Sequence, residues 1–303
     1  MSMIQAPYLK PGMKIGITCP SGYVDASRVE QAVRLLHAQG YETVLGKTIG
    51  LGDYYFAGSD QDRLADLQAM LDDTSLAAIW MGRGGYGMSR IIDQLDFTKF
   101  LKHPKWICGF SDITVLHSHL QAQFALPTIH ALMCGSVVAD NWQSAPVQSL
   151  LLALEGKSLS YEMPAHPLNI LGSVTAPLVG GNLAILAHLT GSPSQLQTAG
   201  KILFIEDIGE HLYQIDRMLY NLKRSGQLQA LSGLVVGSFT DVEDTERPFG
   251  QSLEEIIWDK VAEYGYPVCF NVPCGHQYDN RALRLGMPYQ LSVLEEKATL
   301  SSL

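Results

Sequence analysis

One pattern limits what this chain can fold into: a short apolar run, then an amphipathic helical stretch, then a glycine or polar break, repeated along the sequence. Residues 13–18 read as a buried strand. Residues 25–39 follow and set Val29, Ala32, Val33, Leu35 and Leu36 on one helical stripe, with Gly40 as the stop. Residues 41–45 form a second strand, and Ser59 caps a helix carrying Leu64, Leu67, Met70 and Leu71. Leu76–Met81 is a third strand and 105–110 a fourth, running into a helix from Ser111 to about Gln123. Strands and helices alternating at this spacing predict βαβ units, a mostly parallel sheet and an α/β fold class.

Past residue 140 the rhythm loosens, and residues 141–175 are rich in Gln, Ser, Pro and Gly. We expect an N-terminal domain over 1–145, a linker over 146–175 and a second α/β domain over 176–303. In that second domain 201–205, 234–239 and 266–272 read as strands, and 211–224 and 253–264 as helices. Residues 289–300 read as a closing β segment. Two such domains predict a cleft between them.

Composition narrows the function. With 47% hydrophobic and 17% charged residues the chain is too apolar to be disordered. Thirty acidic against 21 basic residues give a net charge of −9, which argues against a nucleic-acid binder. The longest stretch without Lys or Arg, 172–200, is interrupted by Pro177, Gly180, Gly181, Asn182, Gly191 and Pro193, so no membrane span is expected. The N-terminus lacks the basic and apolar regions of a secretory signal. Cys19, Cys108, Cys134, Cys269 and Cys274 are odd in number and scattered, as expected of reduced thiols in a cytoplasmic protein. No ligand spacing for a metal is visible.

Open α/β sheets bind their ligands at the carboxyl ends of strands, and three strand ends here carry reactive groups. Ser111, in Cys108-Gly109-Phe110-Ser111-Asp112-Ile113-Thr114, stands at a strand-to-helix turn like a nucleophile elbow, although Ile113 replaces the second glycine. Helix capping is the plainer role for such a serine. Glu206 and Asp207 end a buried run and point to opposite faces, so one of them enters the cleft. Their plainer roles are a surface ion pair for Glu206 and a helix cap for Asp207. His276 follows Gly275 at a strand end, with His130 and His211 as rivals among nine histidines. Gly82-Arg83-Gly84-Gly85-Tyr86-Gly87 lacks both dinucleotide and P-loop spacing; it reads as a turn lending a backbone N–H to an oxyanion, or simply as a tight loop.

These motifs, with Val179-Gly180-Gly181-Asn182-Leu183, Ile17-Thr18-Cys19-Pro20-Ser21-Gly22 and Tyr55-Phe56-Ala57-Gly58-Ser59-Asp60, occur in the order found in the LD-carboxypeptidases. The chain resembles that family of serine peptidases from about residue 13 to about 290. The resemblance implies a Rossmann-like N-terminal domain, a C-terminal domain of its own type, a Ser–His–Glu triad of Ser111, His276 and Glu206 at the domain interface, no cofactor and a homodimer. It implies hydrolysis of the L,D bond before the terminal D-Ala of murein tetrapeptides in cell-wall recycling. The alternatives are the microcin-C-type self-immunity activity of the same family and a non-catalytic two-lobed binder. Backbone N–H groups of Gly85 and Asp112 are the oxyanion-hole candidates. Arg83 and Tyr86 are the substrate-binding candidates, Arg83 for the leaving residue's carboxylate. A dinucleotide-dependent oxidoreductase fits poorly, because Cys19-Pro20-Ser21-Gly22 after the first strand is not a glycine fingerprint.

Overall fold

The computed structural model describes residues 5–303. The strands of the first half are β1 (Lys14–Thr18), β2 (Glu42–Leu45), β3 (Leu76–Met81), β4 (Trp106–Gly109) and β5 (Thr128–His130). They are followed by β6 (Ser160–Pro164), β7 (Gly172–Asn182), β8 (Ile202–Ile208), β9 (Gly233–Thr240) and β10 (Val268–Cys269). The last three are β11 (Leu283–Leu285), β12 (Pro288–Val293) and β13 (Lys297–Ser302). The chain divides into two compact units: the first runs to His117 and includes Ala125–Lys157 and Arg281–Leu283; the second comprises Ser118–Phe124, Ser158–Asn280 and Arg284–Leu303.

In the first unit the sheet order is β2-β1-β3-β4-β5, with β11 beyond β5. The ladders from β2 through β5 are all parallel. Ile15, Ile17, Ile79, Trp80 and Ile107 are buried, as a parallel sheet covered on both faces requires. The order reverses at β1, with β2 on one side and β3 on the other. The loops after β1 and β3 therefore flank a crevice at the carboxyl edge of the sheet, the usual ligand position in such folds.

Local signals account for most of these elements. Ser59 and Asp62 form a reciprocal capping box at the start of helix Asp60–Asp72, which buries Leu67, Met70 and Leu71 and half-buries Leu64. The same helix also buries Arg63 and Asp66. The expected helix over 25–39 begins later: Asp25 caps a 3₁₀ turn, Ala26–Arg28, and the α-helix spans Glu30–Ala38. Within 146–175, read above as the join, helix Ala145–Leu154 buries Val147, Leu150, Leu151 and Leu154. Its Pro146 sits in the first turn, where no N–H is needed.

The second unit has the strand order β10-β9-β8-β7-β12-β13-β6. The four strands from β10 to β7 are parallel, and β12, β13 and β6 continue antiparallel. Strand β7 serves both halves, pairing β12 along its first part and β8 along its second. The closing segment is a hairpin, turned where Leu294 N–H donates to the Lys297 carbonyl at 2.9 Å. The run 266–272 yields only the short β10. Asn271 turns to φ 64°, and the Phe270 N–H donates to Asn169 Oδ1 at 3.0 Å instead of to a neighbouring strand. Helices Leu212–Arg224 and Leu253–Val261 cover the parallel half, burying Ile215, Leu219, Leu222, Ile256 and Ile257 against Leu203, Ile205 and Leu234.

Candidate active site

Strand β4 is buried throughout and ends at Gly109; two residues later Ser111 adopts φ 57°, in the left-handed region. A non-glycine residue there costs about 1–2 kcal/mol, and such strain gathers at functional positions. The chain then enters a 3₁₀ turn, Ser111–Ile113, and helix Thr114–Phe124. His117, one turn further on, donates from Nε2 to the Gly109 carbonyl at 2.9 Å and so ties the helix to the strand end. Burial pushes its pKa down to about 4, so the imidazole that holds the elbow is neutral. The glycine-rich loop comes directly against the serine. A Cβ added to Gly84 would stand 3.1 Å from Ser111 Cβ and 3.3 Å from its Oγ.

Glu206 near the end of β8 is wholly buried, which is costly for a carboxylate without a strong partner. That partner is His276, whose Nδ1 lies 2.7 Å from Glu206 Oε2. With Nδ1–H donating to the carboxylate, the lone pair of the imidazole is on Nε2. The ring is 14% exposed, so it is neither sealed in the core nor loose in water. Its backbone is clamped by the end of β9: Thr240 Oγ1 donates to the His276 carbonyl at 2.8 Å, and Ser238 N–H to the Cys274 carbonyl at 2.9 Å. Gly275 makes the approach feasible. It has φ 117°, and a Cβ there would lie 2.6 Å from Ser238 Oγ and 2.8 Å from Glu206 Cβ.

The two adjacent carboxylates part ways as their alternation predicts. Asp207 takes the capping role: it accepts from Asn182 Nδ2 at 2.7 Å and from Ala184 N–H at 2.8 Å, at the start of helix Leu183–His188. Burial first, with the neighbouring Glu206 charge adding to it, raises its pKa to about 6. The surface ion pair weighed for Glu206 is not what forms. The rival histidines have other surroundings: His130 packs edge-on to Phe110, and His211 caps helix Leu212–Arg224. Arg83 is exposed and donates to the Tyr23 carbonyl at 2.8 Å; Tyr86, 47% exposed, leans on Phe56. Gly85 has φ 97° and directs its Cβ position at the Tyr55 hydroxyl.

Sequence reading missed the buried polar side chains that hold these loops. Asp112 Oδ2 accepts from Ser21 Oγ and from Met88 N–H at 2.8 Å. Arg63 donates to the Pro20 carbonyl at 2.7 Å and the Gly87 carbonyl at 3.1 Å. The signal was present in one form: Arg63 lies one residue before Leu64 on a stripe otherwise read as apolar, and Asp112 directly follows the elbow serine. Among the described residues no group of three His, Cys, Asp or Glu side chains could hold a metal ion, and no helix is long and apolar enough to cross a membrane.

Residues 15–131 match the model of the LD-carboxypeptidase N-terminal domain, and residues 175–291 match that of the C-terminal domain. The chain belongs to the LD-carboxypeptidase family. A Bacillus subtilis relative described as a "probable murein peptide carboxypeptidase" is 33% identical over 297 residues, which is 97% of this chain and 93% of that protein. The solved muramoyltetrapeptide carboxypeptidase of Oxalobacter formigenes superposes with a TM-score of 0.85 at 28% identity, covering 96% of this chain and 98% of its own. A microcin C7 self-immunity protein superposes equally well, with a TM-score of 0.85 and 99% of each chain covered. At 21% identity that likeness is one of fold. The α/β reading of the sequence agrees with the LD-carboxypeptidase architecture, with a first sheet parallel from β2 to β5 and a second that is half parallel and half antiparallel, and the chain is a peptidase of this family.

Proposed function

We propose that this LD-carboxypeptidase hydrolyses the L,D peptide bond before the terminal D-Ala of murein tetrapeptides, with Ser111 as nucleophile, His276 as base and Glu206 as the group that orients the base. The observation that carries the reading is the 2.7 Å bond between His276 Nδ1 and a wholly buried Glu206 carboxylate. Such a bond is what a base needs to keep its tautomer and to stabilise the imidazolium it becomes. The strained, glycine-faced Ser111 supplies the matching hydroxyl.

In this mechanism His276 Nε2 takes the Ser111 proton as Oγ attacks the carbonyl carbon. The oxyanion is met by the N–H groups of Gly85 and Asp112, each such donor lowering the barrier by roughly 3–4 kcal/mol. His276 then protonates the departing D-Ala nitrogen, and water, deprotonated by the same imidazole, releases the acyl group from Ser111. Arg83 and Tyr86 are assigned to the terminal residue, Arg83 to its carboxylate. The same reading carries a homodimer and a place in the cytoplasmic recycling of wall peptides.

The test is D-Ala release from an L,D-linked murein tetrapeptide. Ser111→Ala is expected to keep the far-UV spectrum of the parent and to lose turnover by about 10⁴-fold or more. Retained turnover would refute the assignment. A peptide–nucleotide conjugate in the same assay separates the self-immunity activity, and saturable peptide binding without any hydrolysis by the parent would mark a binder.

A further inference from the structure

We propose that Asp112 and Arg63 act as one buried clamp that fixes the glycine-rich loop against Ser111, which makes Asp112 a positioning residue for the oxyanion donors. The inference rests on Ser111 being the nucleophile and deepens that reading.

Two loops meet here, one after β1 and one after β3, and the pair of side chains grips both at successive residues. Arg63 takes the carbonyls of Pro20 and Gly87. Asp112 takes the hydroxyl of Ser21 and the amide of Met88. Both side chains are buried, Arg63 completely and Asp112 to within 1%. Burial draws down the proton affinity of Arg63, and the charges of Asp60 and Asp112 offset part of that loss. Arg63 is also bonded to Asp60 and stacked 4.8 Å above the Phe56 ring, so the cationic arm is itself held.

The consequence falls on Gly84 and Gly85. The loop is anchored at one end by Gly82 N–H on the Thr18 carbonyl at 2.8 Å, and at the other by the clamp at Gly87 and Met88. Between the anchors, Gly22 N–H donates to the Gly84 carbonyl at 2.9 Å. The Asp112 carboxylate therefore links the backbone carrying Ser111 to the end of the loop carrying Gly85 through Met88 N–H, and to the loop after β1 through the Ser21 hydroxyl. Displacement of oxyanion donors by about 1 Å is enough to cost about 100-fold in rate. Folding stability, spread over the whole sheet, does not depend on that distance in the same way.

Asp112→Asn keeps the size of the side chain and removes its charge. We expect kcat for D-Ala release to fall about 100-fold with KM little changed. Affinity for a peptide aldehyde, which forms a tetrahedral adduct, falls in step with kcat. Ser21→Ala removes one hydroxyl from the same carboxylate and is expected to lower kcat about tenfold. The double variant is expected to lose less than the product of the two, because both act through one group. Should Asp112→Asn fail to fold, Ser21→Ala decides alone. Unchanged kcat in the folded variants, or a rise in KM at constant kcat, overturns the clamp. If Ser111→Ala is inactive while both clamp variants keep full kcat, only the clamp fails; if Ser111→Ala is active, the nucleophile assignment fails first.

Discussion

At Gly275 the backbone stands at φ 117° with Ser238 and Glu206 filling the space a side chain would need. Gly275→Ala must push the following residue away from β8, and the His276–Glu206 bond is the contact most exposed to that shift. We expect the variant to remain folded and to lose about 100-fold or more in kcat, as measured by D-Ala release beside an unfolding curve in urea. Wild-type kcat with a shifted unfolding midpoint would show that the bond is structural. The residue scale also shows which positions a sequence can single out. Ser111 stands out as a serine where a buried run meets a helix start, and Glu206 as one of two carboxylates closing an apolar run. His276 carries a weaker signal, a glycine before it at a strand end, and its value depends on that glycine's conformation and on a contact 70 positions away. Arg63, Asp66 and Asp112 stayed hidden, since charged residues on an amphipathic helix or after a cap look like residues facing water until their partners are known.

At the scale of elements, the short helix Leu183–His188 depends on two carboxylate and amide caps, Asp207 and Asn182. The Asp207 pKa of about 6 lies above its ordinary 3.8, mainly through burial. The native state therefore holds this proton more tightly than the unfolded chain. Between about pH 4 and pH 6 the unfolded state loses the proton first, so stability falls as pH rises through that window and levels off above it. The fall amounts to as much as about 3 kcal/mol, at 1.36 kcal/mol per unit. Urea unfolding of the parent and of Asp207→Asn across pH 4–7 measures it: the parent should show the decline and the variant should lack it. A parent curve that rises from pH 4 to pH 6 relative to the variant would contradict this. Elements were legible wherever periodicity met a capping signal, as at Ser59 and Gly40. They were missed where tertiary pairing overrode local pattern: β10 shrank because Asn271 turns out of the strand, and helix Ala145–Leu154 formed within a stretch whose Gln, Ser and Pro content reads as a join.

For the whole molecule, the strand order of the first unit places the loops after β1 and β3 on either side of its switch point, with Ser111 at the end of the next strand. In the second unit, β8 and the segment after β10 supply Glu206 and His276, joined side chain to side chain. Alternating strands and helices made both sheets readable in outline. The antiparallel extension through β12, β13 and β6 was readable only as a closing β segment, since register between distant strands leaves no local mark. The central claim is that Ser111, His276 and Glu206 work as one unit on the scissile bond. Turnover of an L,D-linked tetrapeptide by the three single alanine variants and by the triple variant tests it most directly. The account predicts that Ser111→Ala and His276→Ala each lose nearly as much kcat as all three together, Glu206→Ala somewhat less, because a broken relay cannot be broken again. Losses that simply multiply from one variant to the next would mean independent groups, and would contradict it.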